Sequence, residues 1–357
     1  MTARHRCVLA IALASAVAVL GADGVSVTRV QLADGIYQFI TARDGYVPNG
    51  NSLVVVNDND VLVFDTFTRP STARKVLAEI RKITNKPVRY VVNSHWHPDH
   101  WNGNEVYAEA FSGVEFIATE ETREAMVNIA NAWPKLYASN LRKNQAAFDE
   151  EVKTGKQADG SALAEEQRRY DGESLRLEEG FVAEASALHR AYPTLTYVDK
   201  MILRHGGREF RFLSMVGDAN GETVMYLPKE KIVATGDLVS GPVPYYSPPL
   251  SRHAASLQAL LEMDVDIIVP GHGPAIRDKG YVKLELELFD AIVKQVREAV
   301  KQEVVSTDEI QKMVDVESLR TRFTNDDPML NAKFRRYVNG MVENAAREAR
   351  DGRELKY

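Results

Sequence analysis

One short stretch, Asn93-Ser94-His95-Trp96-His97-Pro98-Asp99-His100, restricts the folds open to this chain more than any other. Three histidines and one aspartate lie between His95 and His100, in a chain with eight histidines altogether. The apolar run from Val88 to Val92 comes just before them and predicts a buried strand. Imidazole nitrogens and carboxylate oxygens are ligands that zinc prefers, and a loop can fold them around an ion. The stretch therefore predicts a metal site at the end of a strand.

The hydrophobic pattern around this stretch predicts a layered α/β protein. Apolar runs predict strands between residues 25 and 64, a helix over residues 71–83, and further strands at 196–203, 209–215, 223–227 and 232–235. A last strand ends at Gly271-His272-Gly273. Each half of the chain contributes strands and then helices, which is consistent with a four-layer αββα sandwich.

Composition and charge exclude several classes of function. The 357 residues are 45% hydrophobic and 26% charged, as in an ordinary globular protein, and the formal net charge is −6. An acidic balance without a long basic run gives no general attraction to nucleic acid or to anionic membranes. The single cysteine, Cys7, excludes an internal disulfide and, if it is removed with the N-terminus, a thiol nucleophile.

Residues 1–22 have the pattern of a secretory signal peptide. Arg4, His5 and Arg6 precede an apolar run from Val8 to Leu20, which is too short to span a bilayer comfortably. Small residues at Ala18 and Ala22 offer cleavage points, and an uncleaved anchor is the alternative. The pattern predicts a periplasmic or secreted protein with its folded domain in residues 25–357 and no stable membrane insertion after cleavage.

Two helical segments extend this pattern. Residues 119–192 predict a helical insertion that Pro134 kinks or divides. The insertion would cover the site or mediate homo-oligomer formation, and an ordinary pair of surface helices is the alternative. Residues 280–357 predict a helical C-terminal extension, in which Ser306 to Glu309 has the pattern of a capping box.

The order of the polar landmarks resembles the metallo-β-lactamase superfamily. The H-x-H-x-D-H order at residues 95–100 is similar to the metal loop of that family. Asp65 at an early strand end, Asp237 after a glycine, and the Gly271-His272 pair follow the family's order, over roughly residues 30–275. The resemblance implies the four-layer αββα metallo-β-lactamase fold.

The resemblance also implies the metal ligands, with one departure. The family has a third histidine about twenty residues before Asp237, but this chain has Asp218 there, and the nearby His205 lies in a predicted hairpin turn. The resemblance implies a first metal at His95, His97 and Asp218. It implies a second metal at Asp99, His100 and His272, with Asp237 bridging. Two zinc ions are expected; the carboxylate of Asp218 leaves one ion, manganese or iron as alternatives.

The family relation implies an exported hydrolase of a small-molecule substrate. In such enzymes metal-activated hydroxide attacks an acyl bond, and Asp99 would orient the nucleophile as well as bind metal. A β-lactam amide is the first expectation for the substrate. The alternatives are a thioester, ester or lactone, as for glyoxalase II and quinoprotein-associated hydrolases, or a non-catalytic metal- or ligand-binding protein on the same fold.

Residues around the ligands complete the expected site. Asp65 would orient the histidine loop through hydrogen bonds, unless it is only a polar strand end. His253 opens a predicted helix, where a surface or capping role is expected. Trp96 and Trp101 flank the predicted ligands and would either border a substrate pocket or pack in the core. Tyr46 is also expected to border the pocket, and a second rim is expected at Tyr245 and Tyr246.

Overall fold

The first of two sheets contains strands that pair in the order in which they occur in the chain. The structure is a computed structural model that describes residues 16–20, 25–41, 49–129, 132–157, 160, 162–245, 249–304 and 306–351. In these ranges the strands are β1 Ala16–Leu20, β2 Ser26–Ala33, β3 Ile36–Thr41, β4 Ser52–Val56, β5 Val61–Phe64, β6 Val88–Val92, β7 Glu115–Thr119 and β8 Leu195–Tyr197. Strands β1 to β5 pair antiparallel, and β5 to β8 pair parallel.

The second sheet contains β9 Lys200–His205, β10 Arg208–Met215, β11 Glu222–Leu227, β12 Ile232–Ser240 and β13 Ile267–His272. Its pairing is antiparallel except between β12 and β13, which run parallel. The single strand predicted over residues 196–203 is wrong, because Tyr197 pairs in the first sheet and Lys200 in the second. The chain crosses between the sheets at Val198, whose side chain is exposed there.

The helices cover the outer faces of the sheets and form the two additional segments. They are α1 Pro70–Ile83, α2 Pro98–Trp101, α3 Asn104–Ala110, α4 Glu120–Ile129, α5 Trp133–Thr154, α6 Glu165–Ser186, α7 Leu250–Glu262, α8 Gly280–Lys301, α9 Thr307–Met313, α10 Glu317–Thr324 and α11 Pro328–Asp351. Helices α4 to α6 form the predicted insertion, and Pro134 lies in the first turn of α5. Helices α8 to α11 form the predicted extension, where the Ser306 hydroxyl caps α9 by accepting from the Glu309 N–H at 3.4 Å.

Three apolar clusters define the four layers. One lies between the sheets and combines residues of the first, such as Phe64, with Phe210 and Phe212 of the second. Another packs the outer face of the first sheet against α1 and α3. A third packs the second sheet against α7, α8 and the C-terminal helices. Burying a large apolar side chain contributes about 1.5–3 kcal/mol, so these clusters stabilise the expected αββα sandwich.

The two halves of the chain are joined beside the predicted ligands. The Asn51 side chain donates to the Pro270 carbonyl at 2.9 Å, and its backbone N–H donates to the Gly271 carbonyl at 2.7 Å. The Thr223 N–H donates to the Ser94 carbonyl at 2.7 Å. The first two bonds join the start of β4 to the end of β13, and the third joins β11 to the loop after β6, so predicted ligands from distant parts of the chain meet at one edge of the sandwich.

The N-terminal prediction is only partly within the described ranges. Strand β1 occupies residues 16–20, inside the segment predicted as a signal peptide, and pairs with β2. Cys7 and the basic residues before the apolar run lie outside the described residues. Every helix in the described ranges is too short or too polar to cross a bilayer. Export therefore stays a prediction.

Candidate metal centre

The histidine loop follows β6 and turns directly into α2. His97 is the N-cap of this single-turn helix, and Asp99 and His100 lie within it. Pro98 suits the start of the helix, because its missing N–H would have no helical partner there. Three side-chain groups come together around this loop: His95, His97 and Asp218; His95, His100 and Asp237; and Asp99, His100 and His272. All seven predicted ligands therefore meet.

The first of these groups is the one predicted for the first metal. The Nε2 of His95 lies 2.8 Å from the Nδ1 of His97, and that Nδ1 lies 3.1 Å from Oδ2 of Asp218. Asp218 comes from the loop between β10 and β11, at the position where the family has histidine. The structure thus brings the departing residue to the other two, with a carboxylate oxygen where an imidazole nitrogen was expected.

The ligands predicted for the second metal have the spacing of ligands around one ion. Oδ2 of Asp99 lies 3.2 Å from Nε2 of His272 and 3.5 Å from Nε2 of His100. Oδ2 of Asp237 lies 3.3 Å and 3.6 Å from the same two nitrogens. Zinc bonds of about 2.0–2.2 Å at tetrahedral angles place neighbouring ligand atoms about 3.3–3.6 Å apart. The donor types and the spacing both suit a divalent metal.

Unpaired atoms support the same fit. The Nε2 of His100 is buried and has no hydrogen-bond partner among the residues that the structure describes, and the same is true of Oδ1 of Asp237. Buried polar atoms are normally paired, and an ion accounts for a group that is not. Gly271 allows this arrangement, because a Cβ atom there would lie 1.9 Å from Oδ1 of Asp237.

Asp65 fixes the histidine loop through hydrogen bonds. Its carboxylate accepts hydrogen bonds from the Ser94 N–H and the Ser94 hydroxyl, both at 2.7 Å, and from Nδ1 of His100 at 2.8 Å. Donation from Nδ1 leaves Nε2 of a neutral His100 free to bind metal. The Ser94 hydroxyl in turn lies 3.0 Å from Nδ1 of His95, which directs Nε2 of His95 into the site. The predicted orienting role matches these contacts.

The charges of the centre favour a bound cation. Burial opposes ionisation of Asp99, yet the neighbouring His100 and His272 hold its pKa well below the usual value. Burial likewise opposes ionisation of Asp237, and the same two histidines hold its pKa well below the usual value. Burial and the nearby His100 and His97 lower the pKa of His95 well below its usual value, so His95 is neutral. Asp99, Asp237 and His95 therefore have the protonation states that metal binding requires. Burial opposes protonation of His100 and His272, yet the same carboxylates raise the pKa of His100 well above its usual value and that of His272 to about 9, so a bound metal would displace a proton from each.

Glu222 is part of the centre, although the sequence analysis did not identify it. This fully buried residue begins β11, and its Oε2 accepts from the Asp218 N–H at 3.1 Å. Its Oε1 accepts a short hydrogen bond from the Asp237 N–H and lies 3.3 Å from Nδ1 of His95. Burial, with the negative charges of Asp237 and Asp218, raises the pKa of Glu222 well above its usual value. One carboxyl group thus contacts three of the seven ligands.

Two glycines make room for Glu222. A Cβ atom at Gly217 would lie 1.8 Å from its Oε2, and one at Gly236 would lie 2.3 Å from its Oε1. Gly236 also has a positive φ of 54°, a conformation that glycine adopts without strain. The glycines flanking Asp218 and Asp237 were the only sequence signal for this residue, and they say nothing about which acid they enclose.

The aromatic residues predicted around the pocket have different positions. The Trp96 ring is partly exposed and lies 4.1 Å from the His97 ring, so it borders the centre. Trp101 follows the alternative of core packing: it is 1% exposed, donates to the Trp96 carbonyl and packs on Tyr192. One turn of α2 separates it from His97 and turns its ring into the core. Tyr46 lies outside the described residues.

The insertion extends the Trp96 side of the centre. Trp133 lies 5.9 Å from Trp96 between ring centroids, Tyr137 lies 5.6 Å from Trp133, and Phe181 lies 4.5 Å from Tyr137. We call these four residues the aromatic row. Burial and the negative charge of Asp99 raise the pKa of Tyr137. The insertion therefore borders the centre beside Trp96, and its expected roles in covering the site or in self-association stay predictions.

The C-terminal extension approaches the centre beside His272. The Tyr245 ring lies 5.0 Å from the His272 ring and 5.4 Å from the Tyr337 ring of α11. Tyr245 thus occupies the expected second rim, whereas Tyr246 lies outside the described residues. The ammonium group of Lys333 lies 4.8 Å from the Tyr245 ring centroid and 5.2 Å from that of Tyr337.

The two remaining histidines of interest are not ligands. His205 ends β9 at the predicted hairpin and forms a short contact with Asp60. The surface or capping role expected for His253 is wrong, because this residue is fully buried against Phe289. Its Nε2 donates to the Leu238 carbonyl at 3.0 Å. The first turn of α7 faces the second sheet here, which the sequence around His253 does not reveal.

Comparison with known proteins agrees with the fold and finds similarity to alkylsulfatases. The model of the Metallo-beta-lactamase superfamily matches residues 45–272, more than half of the chain. The chain is 26% identical over 252 residues to a linear primary-alkylsulfatase of Pseudomonas sp., a match that covers 67% of this chain and 43% of that protein.

Solved structures give a similar result. The stereoselective inverting sec-alkylsulfatase Pisa1 from Pseudomonas sp. superimposes with a TM-score of 0.59 at 15% identity, over 90% of this chain and 50% of that one. A double mutant of the same enzyme gives a TM-score of 0.58 at 15% identity, over 90% and 49%. At this identity the likeness shows the fold alone. The chain spans half or less of the length of each of these alkylsulfatases.

Proposed function

The chain belongs to the metallo-beta-lactamase superfamily, and we propose that it is a metal-dependent hydrolase that cleaves the sulfate ester of an alkyl alcohol. The meeting of His95, His97 and Asp218 with Asp99, His100 and His272 at one edge of the sandwich carries this proposal. The similarity to alkylsulfatases favours a sulfate ester over the β-lactam, thioester or lactone expected from the motif. Those substrates, and a non-catalytic binder, become the comparison cases of the test.

The residues of the chain prepare the centre for this chemistry. Two divalent ions bound there, which we propose to be zinc, would activate water and stabilise the negative charge that develops on the leaving group. Asp65 fixes His100 and, through Ser94, His95, so the metal-binding nitrogens point inward. Asp99 is ionised beside His272 and can accept a hydrogen bond from the attacking water.

The aromatic row suits the alkyl part of such a substrate. Trp96 borders His97, and Trp133 and Tyr137 continue the row away from the centre. An apolar chain gains about 0.8 kcal/mol for each CH₂ group removed from water. A chain lying along these rings would therefore be held beside the metal centre, with its ester bond at His97.

Metal content and turnover test the proposal together. The metal-loaded protein is assayed for sulfate release from decyl sulfate, beside nitrocefin, a thioester and a lactone, with and without chelator; metal is measured by elemental analysis. We expect close to two metals per chain and chelator-sensitive sulfate release. Turnover of a β-lactam or thioester alone would replace the substrate proposal. Full metal occupancy without any turnover would support the binder instead.

Export and self-association through the helical insertion are also proposals. N-terminal sequencing of the protein from a periplasmic fraction tests the first, and an intact N-terminus in the cytoplasm would contradict it. Light scattering of the protein with and without residues 119–192 tests the second. A mass equal to one chain in both forms would contradict it.

A further inference from the structure

Helix α11 brings a positive charge to the His272 side of the metal centre. Lys333 and Tyr337 are four residues apart on this helix and therefore lie on the same face. The Lys333 ammonium group lies over both the Tyr245 and Tyr337 rings, and Tyr245 itself packs on His272. The Lys333 ammonium group is consequently no farther from the His272 ring than the sum of 4.8 Å and 5.0 Å.

We propose that Lys333, with Tyr245 and Tyr337, forms a subsite that binds the anionic head group of an amphiphilic substrate. The inference rests on the proposed function and adds the reason why such an enzyme would select charged esters. We call these three residues the head-group subsite.

The surroundings make this charge effective. All three residues are partly exposed, so a ligand in the centre can reach them, yet the aromatic rings displace water from one side of the ammonium group. A cation over an aromatic face is held in position, and its attraction to an anion is stronger where water is partly excluded. The Tyr245 and Tyr337 hydroxyl groups are hydrogen-bonded to each other, which leaves one O–H of the pair to donate to an oxygen of a sulfate or sulfonate.

The head-group subsite and the aromatic row border different histidines of the centre. Trp96 contacts His97, which is predicted for the first metal, whereas Tyr245 contacts His272, which is predicted for the second. A substrate with an apolar tail and an anionic head can satisfy both walls in only one direction. The ester bond between head and tail then lies over the metal centre.

The head-group subsite depends on a segment outside the family match. The family model ends at residue 272, whereas Lys333 and Tyr337 belong to the extension that follows it. Helix α11 packs against α7 and α8, which cover the second sheet. Recognition of the head group would thus depend on the extension as well as on the part of the chain that the family model matches.

Binding of a substrate mimic tests the inference directly. Calorimetry compares decane-1-sulfonate, which cannot be hydrolysed as an ester, with uncharged decyl glucoside on the metal-loaded wild type and on Lys333→Gln. Loss of one charge-assisted contact is expected to weaken sulfonate binding about tenfold and leave the glucoside unchanged. Lys333→Arg should restore sulfonate binding. Arg335→Gln, an exposed position on the same helix, is the matched control and should bind like the wild type.

Turnover separates failure of the inference from failure of the proposed function. If decyl sulfate is hydrolysed, Lys333→Gln should raise KM about tenfold with kcat within about twofold, because a contact made equally with substrate and transition state is lost. Hydrolysis with unchanged KM and unchanged sulfonate affinity would overturn the head-group subsite alone. A wild type without sulfatase activity would overturn the proposed function, and sulfonate binding would still decide the inference. A wild type that does not bind the sulfonate would overturn it.

Discussion

Exchanging Glu222 for glutamine should weaken metal binding while the protein stays folded. The glutamate presents one oxygen to the Asp218 N–H and the other to the Asp237 N–H. Glutamine has the same shape but places an NH₂ group where one of these oxygens was, so one buried N–H loses its acceptor. An unsatisfied buried donor costs about 1–3 kcal/mol.

The N–H group that loses its acceptor belongs to Asp218 or Asp237, both of which are predicted metal ligands. Losing a partner that orients metal ligands lowers metal affinity about 10–100-fold, which corresponds to about 1.4–2.7 kcal/mol. The two magnitudes agree, so most of the lost hydrogen-bond energy should appear as lost metal affinity. A competition titration with a chromogenic chelator measures this affinity, and denaturant unfolding of the metal-free protein measures the free energy of unfolding.

Glu285 provides the matched control. It is also a fully buried glutamate, on α8, but neither of its oxygens has a hydrogen-bond partner among the described residues. Glu285→Gln should keep wild-type metal affinity, and its free energy of unfolding should be equal or higher because a neutral amide is buried in place of an acid. If Glu222→Gln bound both metals as tightly as Glu285→Gln, the orienting role of Glu222 would be refuted.

Three further changes test other parts of the structure. Asp218→Ala should remove the first metal selectively, leaving about one metal per chain by elemental analysis, whereas Asp218→His should retain two; two metals in the alanine variant would contradict the assignment. Gly271→Ala would place a methyl group 1.9 Å from an oxygen of Asp237, so metal content should fall. Gly172→Ala is the control, because its methyl group would lie at an ordinary van der Waals distance of 3.5 Å from Phe148, and metal content should not change. Burial lowers the pKa of His253 from 6.5 to about 4. Below pH 6.5 His253 is protonated in the unfolded chain but stays neutral in the folded chain. As the pH falls, this residue should therefore lower the free energy of unfolding by up to about 1.4 kcal/mol per pH unit. Urea unfolding at pH 7 and pH 5 should show a smaller loss in His253→Gln than in the wild type; equal losses would contradict this.

The meeting of the predicted ligands could be foreseen because their signal is local in sequence. His95 to His100 follow a clear apolar run, and in the second half Asp237 follows a predicted strand and His272 ends one, although β12 itself continues past Asp237 to Ser240. Strand ends on one edge of a sandwich meet, so an ordered set of polar residues at those ends indicates a common site. Even the place of Asp218 beside His95 and His97 could be predicted, because its distance from Asp237 along the chain matches the family.

The supporting residues could not be predicted in the same way. Glu222 opens a strand after a turn, where an acid usually faces solvent, and only the approach of Gly217 and Gly236 in space encloses it. Trp96 and Trp101 flank the same motif, yet the single turn of α2 directs one ring to the pocket and the other to the core. Which side a residue faces at the end of a short element depends on packing, which periodicity over four residues does not define.

The family fold and the segments added to it therefore contribute different residues to the centre. The core fold supplies the ligands and the buried acids beneath them, Asp65 and Glu222, which fix histidines and ligand backbones from the side away from the pocket. The insertion contributes Trp133, Tyr137 and Phe181 of the aromatic row, and the extension contributes Lys333. We propose that these residues form the walls of the substrate pocket. Changes beneath the ligands should therefore alter metal affinity for every substrate alike, whereas changes in the walls should alter KM according to the tail or charge of the substrate. A family member with the same ligands and different walls would then keep the metal chemistry and change the ester that it selects.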